Sequence, residues 1–129
     1  MSISKYIDGL QARGQYWFSY QMLEAETEKT AKAVERSLSR LREHGTIASP
    51  RKGFYVIVPP EYRAAGCLPA NWFIDHLMKF INEPYYIGLL SAAELFGAAH
   101  HRPQELQVIS NRARRPVECG RVRIRFFAK

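Results

Sequence analysis

The sequence predicts an α+β fold in two parts: a helical unit with a two-stranded hairpin over residues 1–58, and a small α/β unit over residues 59–129. Three observations support this prediction. Apolar residues recur at helical spacing up to residue 44, whereas short β-rich runs flank Pro50-Arg51-Lys52-Gly53. The pair Pro59-Pro60 then interrupts the chain, and a second set of apolar segments follows it.

Apolar spacing and capping residues predict three helices in the first part. Ser19 can cap the second helix, Thr27 can cap the third, and Gly45 is expected to stop the third. A short aromatic segment, residues 16–18, is expected to be extended and to separate the first two helices. The expected bounds of the helices are about Ser4–Gln11 (ending near Gly14), residues 20–26 and about Glu28–His44.

The third helix carries an apolar stripe and a cationic stripe. The stripe expected to be buried consists of Ala31, Val34, Leu38 and Leu41. The cationic stripe consists of Lys29, Lys32, Arg36 and Arg40, with the small residues Ala33 and Ser37 beside it. Small residues allow a helix to approach DNA closely, and long cations reach phosphates or guanine edges. The pattern is equally typical of a solvated helix face, and Glu28, Glu35 and Glu43 partly neutralise it.

The order of elements favours the DNA-binding interpretation. Helix, strand, helix, cationic helix and hairpin is the order of a winged helix-turn-helix. The hairpin is expected to join Thr46–Ser49 to Phe54–Val58, with Pro50 presetting a three- to four-residue loop and Gly53 supplying a positive φ. AVERSLSRLREHGTI and RKGFYVIVP resemble the N-terminal domain of winged-helix transcriptional regulators. That resemblance implies a wing that contacts the DNA backbone.

The predicted DNA-binding residues form two groups. Those expected to face the major groove are Thr30, Lys32, Ala33, Arg36, Ser37 and Arg40. Those expected to hold phosphates are Lys29, Arg51 and Lys52, the last two at the tip of the wing. Because recognition helices present their N-terminal half to base edges, Lys32, Ala33 and Arg36 are expected to read the sequence.

Helices followed by strands are predicted in the second part. An amphipathic helix is expected from about Ala70 to Asn82, and an apolar segment, residues 85–100, is expected to be a buried core helix. The apolar side of the first of these is expected to comprise Trp72, Phe73, Leu77, Phe80 and Ile81. Glu105–Ser110 and Arg121–Phe127 are predicted strands, the latter with arginines and apolar residues on opposite faces.

The segment YYIGLLSAAELFGAAHHRPQELQVIS, following a winged helix and the strand GFYVIVP, resembles the AbiEi family. These proteins are antitoxins and regulators of type IV toxin–antitoxin (abortive infection) systems. The resemblance spans about residues 15–127. It implies that the first domain represses the cognate operon by binding operator DNA. It also implies that the second domain counters a nucleotidyltransferase-like toxin, by a route that need not involve stable toxin binding.

Family members usually continue beyond the point where this chain stops. The second domain is therefore expected to be either naturally short or incomplete, and this bears on antitoxin activity more than on DNA binding. The last predicted strand is expected to offer an unpaired edge that can pair with a second copy, which would make a homodimer.

Few residues are candidates for other chemistry. Adjacent histidines, His100-His101, point in different directions and lack neighbouring ligands, so no metal site is predicted. Glu105-x-Gln107 lacks the lysine of a nuclease motif, and Asp75 is the only aspartate in the second half. No nucleophile motif or phosphate-binding loop is present, so we predict neither enzymatic activity nor a cofactor.

Some second-part residues have several interpretations. The cationic series Arg112, Arg114, Arg115, Arg121, Arg123 and Arg125 is open to three readings: a solvated face, a second DNA contact or a surface for an acidic partner. Cys67 and Cys119 are expected to be reduced and structural. The aromatic residues Trp72 and Tyr85-Tyr86 are expected in the core rather than as stacking platforms.

Composition and charge indicate the kind of partner and the cellular location of the protein. The formal net charge is +7, shared almost evenly between the two parts, which favours a polyanionic partner. We expect a cytoplasmic protein without membrane contact, because no signal pattern is present and the apolar run Ile87–Ala99 is too short to span a bilayer. The leading prediction is a non-enzymatic regulator bound to double-stranded operator DNA. The alternative is a protein-interaction module that acts on a toxin or host partner.

Overall fold

The structure, a computed structural model, describes residues 2–87 and 104–128. It is an α+β protein with four α-helices and two small sheets in the described part of the chain. The elements are α1 (Ile3–Ala12), β1 (Trp17–Ser19), α2 (Tyr20–Glu26), α3 (Ala31–Glu43), β2 (Ile47–Arg51), β3 (Phe54–Ile57), a 3₁₀ turn (Pro60–Tyr62), α4 (Ala70–Ile81), β4 (Tyr85–Ile87), β5 (Gln104–Ser110), β6 (Val117–Cys119) and β7 (Val122–Ala128). The expected α+β class is confirmed.

Helices α1 and α2 match their predictions. The Ser2 hydroxyl accepts a hydrogen bond from the backbone N–H of Lys5, and the Ser19 hydroxyl accepts one from that of Met22. Each bond satisfies an N–H group that the first helical turn leaves without a partner. Gly14 follows α1 with φ +78°, where a side chain would be strained.

The predicted start of α3 was wrong, because Thr30 rather than Thr27 caps this helix. The Thr30 hydroxyl accepts a hydrogen bond from the N–H of Ala33 at 3.2 Å. Thr27 is the residue that ends α2, and its N–H donates to the carbonyl of Leu23. Either threonine satisfies the local preference for a cap; in the structure Thr27 is buried, whereas Thr30 is exposed. Lys29 therefore lies before the helix and not on its cationic stripe.

The hairpin of β2 and β3 differs from the prediction at Pro50. Pro50 lies within β2, at a register shift between Ala48 and Arg51, and the loop is the two residues Lys52-Gly53. Such an irregularity accommodates proline because no ladder N–H is needed there. Gly53 has the predicted positive φ, +84°. Strand β3 also pairs with β1, so the first sheet has the antiparallel order β1-β3-β2.

Helix α4 confirms the predicted bounds but not the whole predicted face. It buries Ala70, Phe73, Ile74, Leu77 and Met78, which follow the 3- and 4-residue steps of one helical stripe. Trp72 and Phe80 lie beside that stripe, and 45% and 38% of their surfaces are exposed. The expectation that Trp72 belongs to the core was wrong. Its ring instead makes edge contacts with Tyr16 and Tyr62.

The second sheet has the order β4-β5-β7-β6, in which β5 and β7 are parallel and the other pairs antiparallel. Both predicted strands, β5 and β7, are confirmed. Tyr85–Ile87 was expected to begin a core helix, but it is strand β4, since it pairs with β5. Residues 88–103, which include His100-His101 and the rest of that predicted helix, lie outside the described part.

The last strand, β7, is not an unpaired edge. It pairs with β5 on one side and with β6 on the other, so the expectation of a free terminal strand was wrong. Its predicted alternation is confirmed, since Val122, Ile124 and Phe126 are buried. Strand β6, which the sequence analysis missed, supplies the second partner through a tight turn at Gly120-Arg121.

Two apolar cores meet at β3. The first core packs α1, α2 and α3 against the first sheet, and includes Ile57. The second packs α4 and the second sheet against Phe54, Val56 and Val58. One strand therefore contributes side chains to both cores, and β2 lies beside β6. Among the described helices, none has the length and apolar character needed to cross a membrane.

Candidate nucleic-acid interface

Helix α3 has a buried face and a cationic face. Val34 and Leu38 are buried, whereas Lys32, Arg36 and Arg40 are exposed at steps of four residues. Ala33 and Ser37, beside that row, are half-buried. Ala31 was expected in the buried stripe but is exposed at the first helical position. The row of three cations is therefore available to a partner along the helix.

Two of the predicted DNA-binding residues lie at the N-terminus of α3. Thr30 is exposed and caps the helix with its hydroxyl, while Lys29 is exposed in the preceding turn. A helix N-terminus carries a partial positive charge that favours anions. Glu35 and Glu43 are also exposed on α3, so its surface is mixed rather than uniformly cationic.

The predicted wing cations lie where β2 turns into β3. Arg51 is the last residue of β2, Lys52 is the first residue of the loop, and both are exposed. The Ser49 hydroxyl lies 2.9 Å from the carbonyl oxygen of Arg51 and 3.0 Å from that of Phe54, so it can donate a hydrogen bond to either oxygen. This contact holds the backbone of the tip across the register shift.

The second sheet brings further arginines to Arg51. An open pocket of about 400 Å³, the arginine pocket, lies between the β2–β3 hairpin and the loop that joins β5 to β6. Its lining residues are Arg51, Arg112, Ala113, Arg114 and Arg115. Sequence reasoning identified the wing and the arginine series separately and missed their association. The density of arginines at positions 112–115 was the available signal.

Glu83, just after α4, organises one side of the arginine pocket. Its carboxylate accepts a hydrogen bond from Arg114 at 2.6 Å and lies 3.7 Å from Arg112. The side chains of Glu83 and Arg114 are only 8% and 17% exposed. A largely buried carboxylate paired with a guanidinium makes a strong, geometrically specific contact.

Comparison with known families gives a match in the part of the chain that contains the loop between β5 and β6. Residues 86–129 match the family model of the AbiEi antitoxin C-terminal domain. Residues 86–129 are thus similar to an AbiEi antitoxin C-terminal domain, and this segment is called the AbiEi domain below. The match covers about a third of the chain, includes β5 to β7 and confirms the family resemblance seen in the sequence. Searches of curated proteins and of solved structures found no match.

The AbiEi antitoxin domain supports a role as the antitoxin of a toxin–antitoxin system. AbiEi antitoxins are regulatory rather than catalytic proteins. Glu105, the carboxylate of the rejected nuclease motif, lies 3.6 Å from Arg125 in an ion pair. Within residues 2–87 and 104–128, no group of three or more metal-binding side chains occurs.

The remaining arginines of the AbiEi domain differ from those of the arginine pocket. Arg123 pairs with Glu118 at 3.5 Å, and Arg125 pairs with Glu105 and lies over the ring of Phe127. These pairs lie across neighbouring strands of one sheet face. The arginine series that looked continuous in the sequence is thus divided into the paired sheet residues Arg123 and Arg125, the exposed turn residue Arg121 and a loop that faces the β2–β3 hairpin.

The two cysteines are buried and free, as predicted. Cys67 and Cys119 are neighbours, and a hydrogen bond between them together with burial raises the pKa of the Cys67 thiol. The backbones beside them are also in contact, since the N–H of Arg121 donates to the carbonyl of Ala65 at 2.7 Å. Their position in the second core agrees with a structural role.

Proposed function

We propose that this protein is a DNA-binding antitoxin that represses its own toxin–antitoxin operon. Residues 1–58 would form a winged helix-turn-helix that binds operator DNA, and residues 59–129 would form the antitoxin domain. The observation that carries the proposal is the exposed row Lys32, Arg36 and Arg40 on α3, opposite its buried face. A row of cations on one face of a helix suits a polyanion that runs along that face.

The position of α3 in the chain supports its assignment as the recognition helix. It follows α2 after a short turn, and the β2–β3 hairpin follows it directly. This is the order of a winged helix-turn-helix, with β1 as the third strand of the small sheet. Base readers would be Lys32, Ala33 and Arg36, with Ser37 and Arg40 farther along the groove. Thr30 would lie at the groove-facing helix entrance.

The wing and the helix entrance would hold the DNA backbone. Arg51, Lys52 and Lys29 are exposed and belong to turns or a strand end rather than to a helix. Such residues position a protein on DNA without reading its sequence. The antitoxin domain would act against a nucleotidyltransferase-like toxin encoded in the same operon, and the complex on DNA would include a homodimer if the operator has two half-sites.

A salt-dependence measurement tests the proposal. Fluorescence anisotropy with the duplex upstream of the protein's own operon is recorded from about 50 to 200 mM salt. We expect binding at low salt and a fall in log K with log salt. In the Arg51→Ala/Lys52→Ala variant the slope should decrease by about one to two, equally for operator and random duplex.

Lys5→Ala/Arg13→Ala is the matched control, since it removes two exposed cations from α1 and its C-terminal cap. Its slope should equal that of the wild type. Absence of binding to duplex DNA at low salt would exclude the regulator. An unchanged slope in the Arg51→Ala/Lys52→Ala variant would exclude the wing as a phosphate contact.

A second candidate function is a protein-interaction module that acts on the toxin or a host partner. Exposed Glu35 and Glu43 on α3 and the exposed ring of Trp72 favour it. The same anisotropy series separates the two candidates. A module of this kind would leave the duplex unbound at low salt while it co-purifies with the toxin.

A further inference from the structure

Positively charged side chains from the wing and from the antitoxin domain meet in the arginine pocket. Four of its five lining residues are arginines, two parts of the chain supply them, and the fifth residue is Ala113. Guanidinium groups repel one another when they are brought together without a counter-charge. A pocket with this composition is suited to an anion rather than to an apolar ligand.

Charge balance within the arginine pocket leaves most of its cations uncompensated. Glu83 neutralises Arg114 at 2.6 Å, and its second contact, to Arg112, is 3.7 Å long and leaves that side chain 72% exposed. Among the ion pairs of the described residues, none includes Arg51 or Arg115. Four arginines and one glutamate give a net charge of +3.

The backbones that carry these arginines are held in place. The Ser110 hydroxyl donates to the carbonyl of Arg112 at 2.9 Å, and Glu83 anchors Arg114. On the other side, Arg51 pairs with Phe54 at the end of β2. A site whose supports already exist loses less conformational entropy when an anion binds.

We propose that the arginine pocket is a phosphate clamp for the backbone of duplex DNA, shared by the wing and the antitoxin domain. Arg51, Arg112 and Arg115 would contact phosphate oxygens, and Arg114 would position the loop. The planar guanidinium offers two parallel donors to a phosphate. The inference rests on the proposed DNA-binding function. It extends the footprint beyond the winged helix, because the antitoxin domain would touch the same DNA strand as the wing tip.

The test compares charge-matched double variants by anisotropy over the same salt range. Arg112→Ala/Arg115→Ala should weaken binding to operator and random duplex by the same factor and should reduce the salt slope by about 0.9 for each lost phosphate contact. Arg63→Ala/Arg121→Ala removes two exposed cations outside the arginine pocket and should leave the slope unchanged. Equal slope changes in the two variants would overturn the clamp, because net charge alone would then explain them.

A double-mutant cycle tests whether the wing and the antitoxin domain contact the same phosphate group. If Arg51 and Arg115 hold the same group, the loss of affinity in Arg51→Ala/Arg115→Ala should differ from the sum of the single losses. Additive losses would overturn the shared clamp. Circular dichroism checks the folding of the variants, and we expect them to be folded because both side chains are exposed.

The outcomes separate this inference from the proposed function. If wild-type protein does not bind duplex DNA, both fail. If it binds and Arg51→Ala/Lys52→Ala lowers the slope while Arg112→Ala/Arg115→Ala does not, the clamp alone fails. Loss of toxin binding in the latter variant, with DNA affinity unchanged, would assign the arginine pocket to an acidic protein surface and overturn the clamp.

Discussion

The Nε atom of Arg114 lies 2.6 Å from Oε2 of Glu83, across 31 positions of the chain. Glu83 follows the left-handed cap of α4 at Asn82, and Arg114 lies in the loop before β6. This pair fixes the loop of the AbiEi domain to the end of α4. It thereby places the neighbouring arginines beside the β2–β3 hairpin.

Removal of this pair should destabilise the protein. Arg114→Ala leaves the Glu83 carboxylate buried with only the 3.7 Å contact to Arg112, and we expect a loss of about 2 kcal/mol in the free energy of unfolding. Urea denaturation measures it. Arg123→Ala is the control, because its pair with Glu118 is exposed and should contribute less than about 1 kcal/mol. Equal losses in the two variants would contradict a special role for the buried pair.

Arg36 should determine sequence discrimination rather than overall affinity. Arg36→Ala is expected to cost about 1–3 kcal/mol on the operator and less on random duplex, because a base-edge contact is lost. Arg36→Lys keeps the charge but not the two-pronged donor geometry, so it should lose discrimination as well. Competition anisotropy with operator and random duplexes measures both. Uniform weakening across sequences would identify Arg36 as a phosphate contact.

Gly120 should not tolerate a side chain. It has φ +57°, and a Cβ atom there would lie 2.7 Å from the carbonyl carbon of Gly66 and would clash with the carbonyl oxygen of Ala65. Gly120→Ala should therefore cost about 3 kcal/mol, from backbone strain and overpacking together. Gly14→Ala is the matched control: its φ is +78°, nothing lies within 4 Å, and strain alone should cost about 1 kcal/mol. Thermal denaturation that ranks the two equally would refute the close approach.

Stability should fall in alkaline solution partly through Tyr55. Burial raises the pKa of its phenol above the ordinary value of 10.0, and the charge of Arg42 offsets this in part. The unfolded chain then loses this proton first, so the free energy of unfolding decreases as pH rises above about 10 and through the folded-state pKa. Tyr55→Phe has no phenol proton at this position and should show a shallower fall between about pH 9.5 and 11. Urea titrations at each pH measure it, and parallel curves would contradict this assignment.

Local patterns predicted most helix and strand positions because each depends on neighbours in the sequence. Ser19 caps α2 as expected, and the alternation of β7 places its arginines and apolar residues on opposite faces. Two of the errors arose where two local choices were equivalent. Thr27 and Thr30 are both good caps, and Tyr85–Ile87 suits either a helix or a strand until β5 pairs with it.

The candidate site shows the same division. The cationic row of α3 was predictable, because a period of 3.6 residues determines which side chains share a helix face. The arginine pocket was not, because Arg51 and Arg115 are separated by 64 positions and no periodicity relates them. Packing of β6 beside β2 brings the two together.

By itself, the sequence determined the helical faces, the turn glycine of the β2–β3 hairpin, the alternation of β7 and the AbiEi resemblance that the family model matches at residues 86–129. The tertiary structure alone decided that β7 is an interior strand, that Trp72 is exposed and that the β2–β3 hairpin meets the loop between β5 and β6. The physical reason is the distance along the chain over which each interaction acts. Capping, periodicity and positive φ act over a few residues, whereas strand order and the meeting of distant charges depend on how whole elements pack.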